Sequence, residues 1–552
     1  MNNFRSLLLV GALLSSLSVI GQEENRYFAY FKHKGGDGYP YSLTSPLKFL
    51  TQRALDRRNK QTINLDSSDL PVNQDYVNAL RAEGAKVFFV SKWLNGALFQ
   101  ASSLLETEIR QLSFVDSLRL LARGTRLLSE QEEPSDPLFF KDPKNIFGST
   151  DMQLTMLGAD LMLADSINGA GIRIAVLDNG FTGVNQYSPF RCLWEKNQII
   201  ATRDFVENSG NVFQFGSHGT SVFSIIGAFF ETDSTRFQGI APGAEFILCI
   251  TEDDQGENTI EEYNWLLGAE YADSLGVDII NSSLGYRTFD LVEQNYAFSD
   301  LDGKTAVISS GAQLAARKGI VVVTSAGNTG RRSYPGNLIN HPSDADSVLT
   351  VGSVDVDFTR SEFSSVGPTT DGRIKPDVSA FGNGTAIVEG NGDIMLGGGT
   401  SFSSPLIAGF AAGIWQSNPD WTSQQVIASI RNSGHKVLSP DSLVGYGVPN
   451  YSYAVNGLPK TLDIQDIFED KVTIYPNPFS GNTLYLQING AVKGGLMARM
   501  LDPNGKEVYN KYFPPEQVSD NMELVLDRIN EGVYYLFLQS KATKKVVKLI
   551  NF

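Results

Sequence analysis

Cysteine and histidine are scarce in this chain, with two and four copies among 552 residues. Neither Cys192 nor Cys249 stands in a Gly-rich loop or at a helix start, which argues against a cysteine nucleophile. A bridge between them and two buried thiols both remain open, because spacing alone does not give the geometry a disulfide needs. Basic charge is also short: 45 Lys and Arg against 61 Asp and Glu leave a net charge of −16. That balance disfavours nucleic acid or an anionic membrane surface as the target. Beyond the first 21 residues no stretch has the apolar length of a membrane span.

The opening stretch, residues 1–21, has Arg5 in a short polar start, then an apolar run from Leu7 to Ile20 and a small residue, Gly21, before Gln22. It reads as a signal peptide, so the mature protein is expected to be secreted or held at the cell surface. At 552 residues the chain is too long for a single core. Apolar residues at 42% and charged residues at 19% describe a globular chain.

Four histidines leave few candidates for a general base. The one that stands out is His218 in QFGSHGTSVFSIIGAFF, where a glycine-flanked loop runs into an apolar helix. Upstream, GIRIAVLDNGF reads as a buried parallel strand that delivers Asp178 at its carboxyl edge. Downstream, LGGGTSFSSPLIA places Ser401 after three glycines, with an apolar helix following and Pro405 in the first turn of that helix. A serine near a helix start has backbone N–H groups that favour developing negative charge. In GIVVVTSAGNTG another apolar strand breaks at Asn328, whose amide could add a second donor. Taken singly, each of these is an ordinary turn, cap or surface residue. Together they outline a nucleophile, a base, an orienting carboxylate and an oxyanion site.

The segments IAVLDNGF, SHGTSVFSIIG, IINSSLG, VVTSAGN, KPDVSAFG and GGTSFSSPLIAG resemble the subtilisin-like serine proteases, in the same order, over roughly residues 140 to 455. The resemblance implies Ser401 as nucleophile, His218 as general base and acid, Asp178 as its orienter and Asn328 as oxyanion donor. Ser283, Leu284 and Gly285 would pair with extended substrate, and Ala326 and Gly327 would line one wall of the first specificity pocket. The implied activity is endoproteolysis of protein or peptide substrates through an acyl-enzyme. An exopeptidase on the same fold, or a catalytically silent adhesion protein, are the alternatives. Departures from the family pattern are Asn179 after the Asp, Ser221, Phe223 and Ser224 after the His, and Phe402 after the Ser. The first can still offer hydrogen bonds to the carboxylate.

The expected fold is α/β, a mostly parallel sheet with helices on both faces at residues 146–457, because helices alternate with apolar strands. Before it, residues 22–128 mix strands and helices in an α+β unit whose position resembles a subtilisin propeptide, an inhibitor of its own enzyme. The acidic, Pro-containing stretch 129–145 reads as a linker open to processing, with Arg123 and Arg126 as further cleavage candidates. After a second linker, 458–470, residues 471–552 alternate at period two and carry an Asp502-Pro503-Asn504-Gly505 turn, a small β-sandwich. Tyr475-Pro476-Asn477-Pro478 and the closing Lys-rich strand resemble the sorting domains of the type IX secretion machinery. No cofactor is expected; the acidic loop Thr251–Asn258 could hold calcium but lacks EF-hand spacing and reads better as a solvated loop.

Overall fold

The computed structural model describes residues 24–35, 38–124, 140–146, 149–232, 236–254, 256–456, 472–488, 495–502, 507–526, 529–540 and 544–552. The expected signal peptide, Arg126 and most of the first linker lie outside these residues.

In the N-terminal unit four strands form one antiparallel sheet in the order Lys86–Ser91, Gly96–Ser102, Glu24–Phe31, Val115–Ala122. Period-two alternation gives the strand Glu24–Phe31 two apolar faces. Tyr27, Ala29 and Phe31 turn toward the unit's own helices, Gln74–Ala82 and Ser103–Arg110, and bury with Val77, Leu80 and Ile109. Phe28 on the other face packs with Leu98 and Leu121 against Ile260 and Tyr263 of the helix Ile260–Ser274. The unit therefore has a second core that only the next unit completes. The strand Val115–Ala122 carries a weak sequence signal, since exposed Asp116 and Ser117 interrupt its apolar pattern.

A third helix, Gln52–Lys60, reaches further along the same neighbour. Arg57 and Arg58, only 5% and 1% exposed, both bind Asp273 at the end of the helix Ile260–Ser274. Arg58 also binds Asp69 at 2.9 Å, and Lys318 closes the network on Asp69 at 2.9 Å. Burial opposes the Asp273 charge, but Arg57, Lys92 and Arg58 outweigh it and hold the carboxyl down at about 2.

The central unit is built on seven parallel strands in the order Val378–Phe381, Leu349–Val354, Val321–Ser325, Ile279–Ser282, Arg173–Asp178, Glu245–Ile250, Ile199–Asp204. Alternation again divides the side chains. Ile174, Val176 and Val323 face the helices His218–Gly227 and Thr400–Ser417, while Ala175, Leu177 and Val322 face Ile260–Ser274 and Val307–Arg317. The expected α/β sheet with helices on both faces is present. Residues 140–145, read as linker, instead lie along this unit: Lys141 N–H donates to Gln186 O at 2.8 Å, and Asp393 accepts from the Lys144 and Asn145 amides. Cys249 is buried and Cys192 half-buried, and both are free thiols, so no bridge joins them.

The C-terminal unit pairs a three-stranded and a four-stranded antiparallel sheet around Leu484, Leu486, Ile488, Leu496 and Leu536. The turn Asp502–Gly505 falls largely outside the described residues. Arg499 donates to Thr155 Oγ1 at 2.6 Å and pairs with Asp160 at 3.2 Å, tying this sandwich to the central unit.

Candidate active site

The strand Arg173–Asp178 ends on Asp178, which is wholly buried, at the carboxyl edge of the sheet. Its Oδ1 lies 2.7 Å from His218 Nδ1 and also accepts the Asn179 N–H at 2.9 Å. His218 is the first residue of its helix, and Gly219 lets that helix close on the strand. A Cβ at Gly219 would stand 2.5 Å from Gly180 O and 2.9 Å from Asp178 Cβ, so no other residue fits there. Burial works against an imidazolium at His218, yet the charge and hydrogen bond of Asp178, helped by Asp254 and Glu252, outweigh it and raise the pKa above the ordinary value.

Asn179 departs from the sequence expectation. Its side chain does not bond the carboxylate: Oδ1 accepts the N–H of His218 at 3.1 Å, and Nδ2 donates to Asp254 at 2.9 Å. The helix needs this, because Ser217 at its N-cap supplies no side-chain bond. Phe223 and Ser224 point away from the site: Phe223 stacks on Phe190 at 5.7 Å, and Ser224 Oγ accepts from Val388 N–H. Phe402 is the departure that does reach it, its ring centroid 6.0 Å from that of His218.

Ser401 is the second residue of the helix Thr400–Ser417, so Pro405 sits in the second turn of that helix and not in its first. The displacement has a local use. Pro405 has no N–H to give the Ser401 carbonyl four residues back, and Ser283 Oγ donates to that carbonyl at 2.9 Å instead. In return the Ser401 hydroxyl donates to Ser283 O at 3.3 Å. The three residues Ser283–Gly285 extend beyond the strand Ile279–Ser282 alongside the serine.

Asn328 follows the strand Val321–Ser325. Its Oδ1 accepts both the N–H and the hydroxyl of Thr400, at 2.9 and 3.0 Å. With the carbonyl end engaged, Nδ2 is the group left to donate: a Cβ on Gly399 would lie 3.6 Å from that nitrogen, 3.9 Å from Oδ1 and 3.8 Å from the Ser401 N. Two donors thus converge beside the serine. Asp178, His218, Ser401, Asn328 and Ser283 all come together at one end of the sheet, from positions up to 223 residues apart in the chain.

A family model described as the subtilase family matches residues 169–447, just over half of the chain. The chain belongs to the subtilase family. Subtilases similar to it include Subtilisin NAT of Bacillus subtilis subsp. natto, 30% identical over 275 residues, half of this chain and 63% of that protein. Subtilisin DY of Bacillus licheniformis is 29% identical over 273 residues, half of this chain and 87% of that protein. Serine protease AprX of Bacillus subtilis is 28% identical over 319 residues, 53% of this chain and 68% of that protein. Flanking the subtilase region, residues 26–135 match a Peptidase S8 propeptide domain of Bacteroidota, and residues 473–551 match a secretion system C-terminal sorting domain.

Proposed function

We propose that this subtilase is an exported serine endopeptidase made as a precursor. The observation that carries the reading is the Asp178–His218 pair, joined at 2.7 Å, set beside the start of the Ser401 helix, where the Phe402 ring lies 6.0 Å from that of His218, with an Asn328 amide whose carbonyl end is already engaged. The Ser401 hydroxyl turns from Ser283 O toward Nε2 of His218, which takes its proton as the oxygen attacks a substrate carbonyl. Asp178 fixes the tautomer with Nδ1 protonated and stabilises the imidazolium that forms. Asn328 Nδ2 and Ser401 N–H receive the charge on the carbonyl oxygen. His218 returns the proton to the leaving amine, and water then attacks the acyl-enzyme by the same route. Substrate lies extended along Ser283–Gly285, with Ala326 and Gly327 beside its first side chain. The N-terminal unit blocks this enzyme until it is cut away in the linker, and the C-terminal sandwich directs export to the medium or the cell surface.

Labelling the processed protein with a fluorophosphonate probe, followed by peptide mapping, tests the reading. Label on Ser401 supports it; folded, processed protein that takes no label overturns it. Asn328→Ala should lower kcat by about a hundredfold or more with little change in KM, because the lost donor acts on the developing oxyanion. Asp254→Asn removes a negative charge that favours the His218 imidazolium. The acid limb of the kcat/KM profile should therefore move to lower pH, while a limb that stays in place would separate Asp254 from the base.

A further inference from the structure

We infer that Asn340 is the specificity-determining residue of the first pocket and selects substrates with a side-chain amide, glutamine or asparagine, immediately before the cut bond. The inference rests on the peptidase reading. Its starting point is a pair of backbone hydrogen bonds, Tyr286 N–H to His341 O at 2.9 Å and His341 N–H to Tyr286 O at 3.1 Å. They lock the segment around Asn340 against the one that carries Gly285. On the opposite side Ser365 N–H donates to Gly327 O at 2.9 Å.

Asn340 lies between the two glycines. A Cβ on Gly285 would stand 3.2 Å from the Asn340 Cβ, and one on Gly327, whose φ is +105°, would stand 3.4 Å from Asn340 Nδ2. Glycine at both places keeps the space above the carboxamide open. Asn340 Oδ1 is buried and has no hydrogen-bond partner among the described residues. The remaining polar neighbour of Gly327, the Ser365 hydroxyl, is already engaged with Thr329 N–H at 3.0 Å and Thr329 Oγ1 at 2.9 Å. A buried acceptor left without a donor is costly, and a side chain that enters between Gly285 and Gly327 is the group that can supply one.

A carboxamide offers an acceptor at one end and two donor hydrogens at the other. A second carboxamide, with its acceptor and its donors on separate atoms of one planar fork, meets the two ends at once, whereas a hydroxyl has a single oxygen to serve either. An aliphatic side chain would leave the buried Oδ1 dry and unpaired. A lysine or arginine would serve the acceptor alone and would bury its charge beside Asn340 and Ser365, neither of which carries a counter-charge. Pockets built to hydrogen-bond a substrate group discriminate strongly against analogues that lack it, whereas apolar pockets do not.

The test compares two peptides that differ only in having glutamine or methionine, both unbranched and of similar length, before the cut bond. With the processed protein, kcat/KM should favour glutamine by about tenfold or more. Asn340→Leu should reverse the ratio, and Asn340→Asp, which keeps the shape, should move the preference toward lysine. Equal or better cleavage of the methionine peptide by the native protein, or an unchanged ratio in either variant, overturns the inference while fluorophosphonate labelling of Ser401 leaves the peptidase reading intact. Folded, processed protein that takes no label and cuts neither peptide overturns both.

Discussion

Ser401→Ala should lower peptide hydrolysis on the order of a millionfold, leaving only what the oxyanion donors and substrate binding supply. The size follows from the way the group acts as a unit. Without the hydroxyl there is no acyl-enzyme, and His218 has no proton to take from a nucleophile positioned by Ser283 O. His218→Ala should cost about as much, and the double variant hardly more than either alone, because each single change already disables the same step. Initial rates on a chromogenic peptide, on samples matched for folded content by circular dichroism, measure all three. Turnover in the Ser401 variant within tenfold of the native protein would end the assignment. The fold should be unaffected, since Ser401 is half-buried and, among the described residues, its hydroxyl makes one hydrogen bond, at 3.3 Å.

The second large effect lies at the opposite end of the sheet. Asp273→Asn should weaken the hold of the N-terminal unit on the cut protein by about two to four orders of magnitude, in line with the loss of about 3–5 kcal/mol when one partner of a buried ion pair is removed. Arg57 and Arg58 would stay buried with their shared carboxylate gone, and only Asp69 would remain for Arg58. Size-exclusion chromatography after linker cleavage gives the readout: the native fragments should co-elute, and those of the variant should separate. Co-elution of both to the same dilution would mean that the apolar contact of Phe28, Leu98 and Leu121, with the remaining polar ties such as Lys318–Asp69 and Arg53–Asp278, holds the unit without Asp273. The result bears on activation, because Asp273 is far from Ser401 and its replacement should leave the kcat of the freed enzyme unchanged.

Much of this was legible in the sequence, for a physical reason. In a parallel sheet the strands are short apolar runs and the functional residues follow them, so Asp178, Ser283 and Asn328 announce themselves at the ends of IAVLD, IINS and VVVTS. What was not legible depends on partners distant in the chain. Nothing in RALDRRNK marks Arg57 and Arg58 for burial, and it takes Asp273, 215 positions beyond Arg58, to join them in a buried clamp. Asn179 looked like a neighbour of the carboxylate and turned out to cap the His218 helix, because Ser217 leaves that helix uncapped. Asn340 carries no motif at all. Only the pairing of Tyr286 with His341 puts it between Gly285 and Gly327.

The strand order also sets a timetable. Arg173–Asp178 is the first strand of the large sheet to emerge, yet its neighbours are Glu245–Ile250 and Ile279–Ser282, so it waits about a hundred residues for both. The N-terminal unit has all four of its strands once Ala122 is made. Its face of Phe28, Leu98 and Leu121 therefore stays uncovered until the helix Ile260–Ser274, which begins well over a hundred residues further along the chain, is there to cover it. During that interval the newborn chain displays a sticky apolar surface, and the same surface is the first ready-made wall against which the slow, long-range sheet can assemble.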